Sequence, residues 1–306
     1  MSLVSAGHAH FPAHSFSARG TGFRALTLAL ALNAGYTVFE GAAGFLTNSL
    51  ALLADAGHNL SDVFALAIAL TAAWLMRRPP TPQRSFGFMR AEILAAFVNA
   101  VSLVVIAIVI AVEAVRRIGS PPDVPGGWLV VVAAVGIVVN GLGAAVVFRG
   151  SRSNLNLRAS FIHLAGDAAG SLLVIVAGLV ILATGWELAD PLASLVLAAL
   201  ILWSAWGVLR ESTGILMEQT PTGVDSEEVA REIVSAPGVE SVHDLHVWTI
   251  SSGFAALSAH VLVSQDEDCH ARRRELEEVL HRRFGIEHTT LQVDHTSDEL
   301  LQITRR

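Results

Sequence analysis

Two histidine–aspartate pairs stand inside long apolar segments: His58 with Asp62, and His163 with Asp167. The members of each pair are four residues apart, and residues four apart lie one above the other on the same face of an α-helix. Each helix would therefore present one imidazole beside one carboxylate. Two such faces brought together supply two nitrogens and two oxygens, which is a suitable ligand set for tetrahedral Zn²⁺.

The apolar surroundings make these four groups candidates for a function. An ionisable side chain at the centre of a bilayer costs at least about 2.5–3.5 kcal/mol on insertion scales. The alternative interpretation is that each pair is hydrogen-bonded and merely fixes two helices. The matched spacing of the two pairs favours a shared metal site.

The composition predicts a membrane protein with a soluble part attached. Of 306 residues, 53% are hydrophobic and only 15% are charged, whereas soluble domains carry roughly 25% charged residues. The single cysteine, Cys269, excludes an intrachain disulfide framework and a cysteine-rich zinc finger. We expect no cleavable signal peptide, because the first apolar run, after Arg24, is too long and contains Glu40.

The apolar segments predict an all-α membrane domain of six transmembrane helices over residues 24–210, behind a polar tail at residues 1–23. Each segment can cross about 30 Å of hydrocarbon, which needs about 20 helical residues. The tail could be disordered, or its three histidines could catch a metal ion. Those histidines are His8, His10 and His14. The predicted spans are 24–46, 49–76, 91–117, 127–149, 159–183 and 189–210.

The arginines predict that both termini are cytoplasmic. Ten arginines fall in segments that this orientation places inside, and only Arg116 and Arg117 fall outside. Two groups of three helices are then inverted relative to each other, a common transporter plan. Each histidine–aspartate pair occupies the middle helix of its group. Because Asp167 comes early in the fifth span, we expect that helix to begin before Ser160 or the site to lie inward of centre.

Further polar residues lie within the predicted spans. They could line a water-filled vestibule, and helix–helix hydrogen bonding accounts for each equally well. They are Asn33, Glu40, Asp55, Asn99, Glu113 and Asn140.

Residues 211–306 predict a separate cytoplasmic domain. Polar and amphipathic helices are expected at 225–236 and 268–284, and strands at 241–250, 254–263 and 289–294. The order αββαβ predicts a small two-layer α+β domain with both helices on one face of a sheet.

Histidines recur in this domain. Strand alternation predicts that His243 and His246 face opposite sides of one strand. The turn at 251–253 places His243 nearly opposite His260. That pair could share a metal with an acid from the third strand, such as Asp294, or the histidines could be surface residues without a ligand role.

Several stretches resemble the zinc-exporting branch of the cation diffusion facilitator family. Asn48–Asp62 is similar to that family's second-helix signature, and residues 85–92 and 190–191 resemble its entries to helices 3 and 6. Residues 243–248 resemble the first strand of its cytoplasmic domain. The resemblance implies a homodimer with a metallochaperone-like, ferredoxin-like cytoplasmic fold. It also implies exchange of cytoplasmic metal for external protons, in a bacterial cytoplasmic membrane.

The resemblance also implies roles for particular residues. Gln292 stands where some relatives have a histidine, and Arg90 with Glu218 corresponds to a charge pair that locks the family's dimer. The implied transport site is His58, Asp62, His163 and Asp167, and the implied cytoplasmic metal ligands are His243, His260, His270 and Asp294.

These observations together predict a divalent cation efflux transporter, most simply for Zn²⁺, and not an enzyme. An intramembrane metalloenzyme would need an open coordination position and a general base such as the Glu of H-E-x-x-H, a motif that the sequence lacks. A membrane-anchored metal sensor or scaffold is the other alternative, although its anchor has no need of four buried ligands. His/Asp sets bind several divalent ions, so Cd²⁺ and Co²⁺ stay open as cargo.

Overall fold

The computed structural model describes residues 20–151 and 155–296, and leaves out some side chains within the helices, including those of residues 146–165. His8, His10 and His14 lie outside the described residues. Among the described residues, those before residue 217 form six long helices. They are α1 (Gly20–Leu46), α2 (Leu50–Met76), α3 (Ala91–Ile118), α4 (Gly126–Ser151), α5 (Leu155–Thr184) and α6 (Ala189–Leu216). The start of α5 at Leu155 confirms the predicted early beginning and places Asp167 well inside the helix.

Three stretches of these helices are long and apolar enough to cross a membrane, judged over the described residues: Ala91–Ile118, Gly166–Thr184 and Ala189–Leu216. Their outer surfaces are apolar as well. Val109 on α3 is 62% exposed and Trp203 on α6 is 81% exposed. Contiguous exposed apolar surface of this kind marks contact with lipid or protein, not with water.

The chain divides into two compact units. The first contains residues up to Asn59 and Asp123–Ala189, and the second contains Leu60–Pro122 and the chain from Asp190. In the first unit α4 packs along α5, and α1 packs on α4. Glycines permit the close approach of α4 and α5, because a Cβ built on Gly178 would lie 2.8 Å from the carbonyl oxygen of Gly126 and 2.9 Å from Cβ of Leu129.

The end of the second unit is the predicted α+β domain. Its elements are α7 (Ser226–Ser235), β1 (Val239–Ser251), β2 (Phe254–Val263), α8 (Cys269–Phe284) and β3 (Ile286–His295), which confirms the order αββαβ. Asp225 caps α7 by accepting from the backbone N–H of Glu227, and Asp268 caps α8 by accepting from those of His270 and Ala271. Gly285, at a φ of 66°, ends α8.

The sheet has β2 at its centre, antiparallel to β1 and parallel to β3. Alternate β2 residues, among them Leu257 and Val261, are fully buried in one core with Ile233 of α7 and Leu280 of α8. Burial of each such side chain contributes about 1.5–3 kcal/mol. Both helices therefore cover one face, as predicted, and the even-numbered β2 residues, including His260, lie on the other face.

Candidate metal sites

The first pair of candidate ligands is held by the beginning of α2. Asn48 turns the chain after α1 with a φ of 55°, which asparagine tolerates better than most residues. Ser49 then caps α2, because its Oγ accepts a hydrogen bond from the backbone N–H of Leu52 at 3.2 Å. From this fixed start the helix runs unbroken through His58 and Asp62, which occupy one face a turn apart.

Asp167 of α5 comes to this face in the first unit. Its Oδ1 lies 3.5 Å from Nε2 of His58, and the Asp167 side chain is only 2% exposed. Asp62 is carried by the same continuous helix as His58, one turn further along. Ligand atoms around a tetrahedral zinc with bonds of about 2.0–2.1 Å are about 3.3 Å apart, so the 3.5 Å between His58 Nε2 and Asp167 Oδ1 suits one small divalent ion.

The fourth predicted ligand, His163, lies on α5, and its side chain is outside the described ones. It stands one helical turn before Asp167, as His58 stands before Asp62. The helix periodicity therefore gives the two residues a common face of α5.

A second buried polar cluster, which we call the Glu40 cluster, lies in the first unit beside the metal ligands. Tyr36 Oη donates to Glu40 Oε1 at 2.6 Å, and Asn59 Nδ2 donates to Glu40 Oε2 at 3.0 Å. Ser171 Oγ donates to Asp55 Oδ2 at 3.1 Å. The side chains of these five residues are at most 4% exposed. Glu40 and Asp55 were expected only to line a vestibule or to join helices, and the structure shows that they form one network.

In the cytoplasmic domain, the structure corrects the prediction of which sheet face two histidines occupy. The prediction that His243 and His246 face opposite sides of β1 is wrong, because a β-bulge separates them: His243 pairs with His260 while His246 pairs with Ser258. Ser258 and His260 share a face of β2, so their partners do too. Asp244, in the bulge, adopts a left-handed conformation with a φ of 53°.

The bulge gathers three histidines around one carboxylate. The rings of His243 and His260 are 5.3 Å apart between centroids, so the predicted opposition of these two residues is confirmed. Asp244 Oδ1 lies 3.0 Å from His246 Nε2, and its Oδ2 lies 3.9 Å from His260 Nε2. The hydrogen bond with His246, together with the neighbouring histidines, lowers the pKa of Asp244. Asp244 and His246 were missing from the predicted ligands, although both stand in the sequence beside His243.

The other two predicted cytoplasmic ligands are held elsewhere. His270 lies in the first turn of α8, where its backbone N–H donates to Asp268 Oδ1. Asp294 accepts a hydrogen bond from Gln292 Nε2 at 2.8 Å, and Gln292 pairs with His260.

The loop before α3 contacts the cytoplasmic domain within the second unit. Arg90 Nη2 lies 3.0 Å from Glu218 Oε1, which confirms the predicted pairing of these two residues. Phe86 packs edge-on against His288 with ring centroids 5.5 Å apart, and Ser252 Oγ donates to Glu92 at 3.2 Å. A cleft of about 810 Å³ lies between this loop and β1.

Comparison with known proteins decides the family. Residues 26–217 match the model of the cation efflux transmembrane domain, and residues 221–296 match that of the cation efflux protein cytoplasmic domain. The chain belongs to the cation diffusion facilitator family, in its zinc-exporting branch. It is therefore a divalent cation efflux transporter and an integral membrane protein, and not an enzyme.

Two relatives match nearly the whole length of this transporter, and one solved domain matches a smaller part. The zinc transporter ZitB of Escherichia coli is 40% identical over 290 residues, which cover 94% of this chain and 92% of ZitB. The cadmium, cobalt and zinc/H(+)-K(+) antiporter of Bacillus subtilis is 38% identical over 279 residues, 90% of each chain. The metal-bound C-terminal domain of the CzcD transporter from Cupriavidus metallidurans is 39% identical over 23% of this chain and 97% of that chain, with a TM-score of 0.22.

Proposed function

We propose that this transporter exports cytoplasmic Zn²⁺ in exchange for protons, at a site formed by His58, Asp62, His163 and Asp167. The observation that carries the proposal is the approach of the buried Asp167 to within 3.5 Å of His58, with Asp62 one turn further along the helix that carries His58. Imidazole and carboxylate ligands suit zinc. The names of two relatives include zinc, cadmium and cobalt, which are metals that such a ligand set binds.

Proton exchange follows from the chemistry of these ligands. Zinc binds neutral imidazole and ionised carboxylate, so each binding event displaces protons from the site. When the site opens to the outside, protons compete for the same lone pairs and expel the metal. An alternation of the two inverted groups of three helices would expose one site to each side in turn.

The membrane arrangement and the domain boundaries complete the proposal. Six helices over 24–210 span a bacterial cytoplasmic membrane, and the tail at 1–23 and the domain at 211–306 both lie in the cytoplasm. The support is the arginine distribution and the family. Two copies form a homodimer through the cytoplasmic domain.

We further propose that the cytoplasmic domain binds zinc through His243 and His260 on the open face of its sheet and through Asp294 of β3, with His270 of α8 as a further ligand. The structure adds Asp244 and His246 to the candidates on that face. Metal binding at these residues would affect the membrane helices through the contacts of Arg90 and Phe86 with this domain.

Zinc uptake into sealed vesicles tests the transport site. The full-length protein should move zinc, while Asp62→Ala and Asp167→Ala should reduce the flux to background, because a methyl group cannot replace a carboxylate ligand. Even the loss of a side chain that only hydrogen-bonds to a metal ligand typically costs about 10–100-fold in metal affinity. Asp123→Ala, in the loop before α4, is the matched control and should transport normally. Wild-type flux in reconstituted Asp167→Ala would show that the site is assigned to the wrong residues.

A further inference from the structure

We propose that the Glu40 cluster is a proton-binding site, distinct from the metal ligands, that carries a proton exchanged during each transport cycle. The inference rests on the zinc–proton exchange proposed above and adds where a proton is held. Glu40 is fully buried and lies on α1, far in sequence from every proposed metal ligand. The carboxyl group of Asp55 is close enough to interact with Glu40 electrostatically.

The hydrogen bonding of the cluster fits a site that holds one proton. Glu40 and Asp55 are close enough to share a hydrogen bond with each other. Two carboxyl groups can share a hydrogen bond only when one of them carries a proton, and two buried like charges side by side are costly. Tyr36 and Asn59 donate to Glu40 and so stabilise its ionised form as well. The cluster can therefore exist with the proton or without it.

Polar groups without described hydrogen-bond partners occur in this cluster and one helical turn from it. Asn59 is fully buried, and its Oδ1 has no hydrogen-bond partner among the described atoms, although its Nδ2 binds Glu40. Asn140 of α4 is 1% exposed, and neither of its amide atoms has a described partner. Asn140 lies one turn from Gly136, whose added Cβ would meet Tyr36 Oη and Ser171 Oγ. Buried amide groups without described partners are available to hydrogen-bond a further group, such as one that carries a proton or a water molecule.

The titratable groups around Glu40 give a reason for coupling to the metal. Tyr36 faces it from α1 and Asp55 from α2, while α4 contributes the Val132 carbonyl and α5 the hydroxyl of Ser171. His58 and Asp167 interact electrostatically with Asp55. A dication among the metal ligands favours the ionised form of the cluster, so zinc binding expels its proton to water. Zinc release favours return of a proton from the opposite side.

Two transport assays on the full-length protein in vesicles separate this role from metal binding. Zinc-for-zinc exchange at equal pH needs only the metal site, whereas net zinc uptake driven by a pH gradient also needs the proton. We expect Glu40→Gln to exchange zinc at close to the wild-type rate and to lose pH-driven uptake by at least about tenfold. Glu113→Gln, the same change on α3 at a carboxylate paired with Arg117, should leave both assays unchanged.

Tyr36→Phe is a milder variant that removes one donor to Glu40 without deleting the carboxyl group. The loss of this donor favours the protonated form, so the pH midpoint of uptake should move upward while zinc-for-zinc exchange persists. An unmoved midpoint would overturn the proposal even if Glu40→Gln does not fold.

The other possible results of these assays distinguish failure of the exchange mechanism from failure of the proton site. Absence of pH-driven uptake in the wild type would overturn the exchange mechanism itself. Normal coupling in Glu40→Gln, or equal loss of both assays in that variant, would overturn only the proton site. Uptake that follows a K⁺ gradient and ignores the pH gradient would overturn the proton site together with the exchange mechanism.

Discussion

At the scale of single residues, the transport site depends on two spacings of four and on one contact between helices. The spacing of His58 and Asp62 is readable from the sequence, because helix periodicity fixes which residues share a face. The approach of Asp167 to within 3.5 Å of His58 depends on how α5 packs, which no local pattern encodes. The Glu40 cluster was foreseen only as separate polar residues for the same reason, since its members come from α1, α2 and α5.

His58→Asp should broaden the choice of metal without abolishing transport. Replacement of an imidazole by a carboxylate makes the ligand set harder and more tolerant of Mn²⁺ or Cd²⁺. Competition of each metal against zinc in the vesicle assay measures the change. Unchanged zinc preference in His58→Asp would count against a selectivity role for this residue.

Asp244 should make the stability of the cytoplasmic domain depend on pH in the acid range. Its pKa is lowered mainly by the hydrogen bond with His246. A carboxyl group with a lowered pKa in the folded state stabilises that state above its ordinary value of about 3.9, and this contribution is lost as pH falls through the folded value. The Tm difference between wild type and Asp244→Asn should therefore be present at pH 5 and shrink below about pH 4. A difference that stays constant down to pH 2.5 would contradict the assignment.

At the scale of elements, the sequence predicts most of the cytoplasmic domain and misses the bulge in β1. Caps such as Asp225 and Asp268, the Gly285 stop and the turn at 251–253 each have a local signal. The bulge places a non-glycine residue, Asp244, at positive φ, and aspartate adopts that conformation too rarely for its presence to predict it. One extra residue in a strand moves every later side chain to the opposite face of the sheet. Simple alternation along the sequence therefore placed His246 on the wrong face.

The crossing of α4 and α5 should be sensitive to a single methyl group. Gly178→Ala places a Cβ 2.8 Å from a backbone oxygen that cannot move aside easily. Overpacking of this kind typically destabilises by about 1–3 kcal/mol. Gly207→Ala on α6, where a Cβ would meet no atom within 4 Å, is the matched control. Thermal unfolding in detergent should show a lower Tm for Gly178→Ala alone, and equal Tm values would mean that the helices do not pack this closely.

The cytoplasmic domain has its own hydrophobic core, so a fragment from about residue 212 should fold as a soluble dimer and bind zinc. A metal that binds only the folded form stabilises it by mass action. Micromolar zinc should raise the Tm of the wild-type fragment and hardly change that of His260→Ala. Absence of a zinc-dependent shift in the wild type would identify these histidines as surface residues without a ligand role.

At the scale of the whole molecule, transport and regulation should be separable. The proposed transport ligands lie in the apolar helices, while His260 lies in the cytoplasmic domain. Full-length His260→Ala should therefore still carry zinc, with weaker activation at low cytoplasmic metal. In the second unit, the Arg90–Glu218 pair and the Phe86–His288 contact join the loop before α3 to that domain, which gives regulation a physical route.

Simultaneous recording of zinc and proton movement in sealed vesicles tests the central claim most directly. The full-length protein is reconstituted with a zinc-sensitive and a pH-sensitive dye inside, and zinc is added outside at several imposed pH gradients. The account predicts that zinc entry is accompanied by proton exit, that it speeds up as the interior is made more acidic, and that Asp167→Ala abolishes both signals. Wild-type zinc entry with no proton movement and no response to the pH gradient would contradict it.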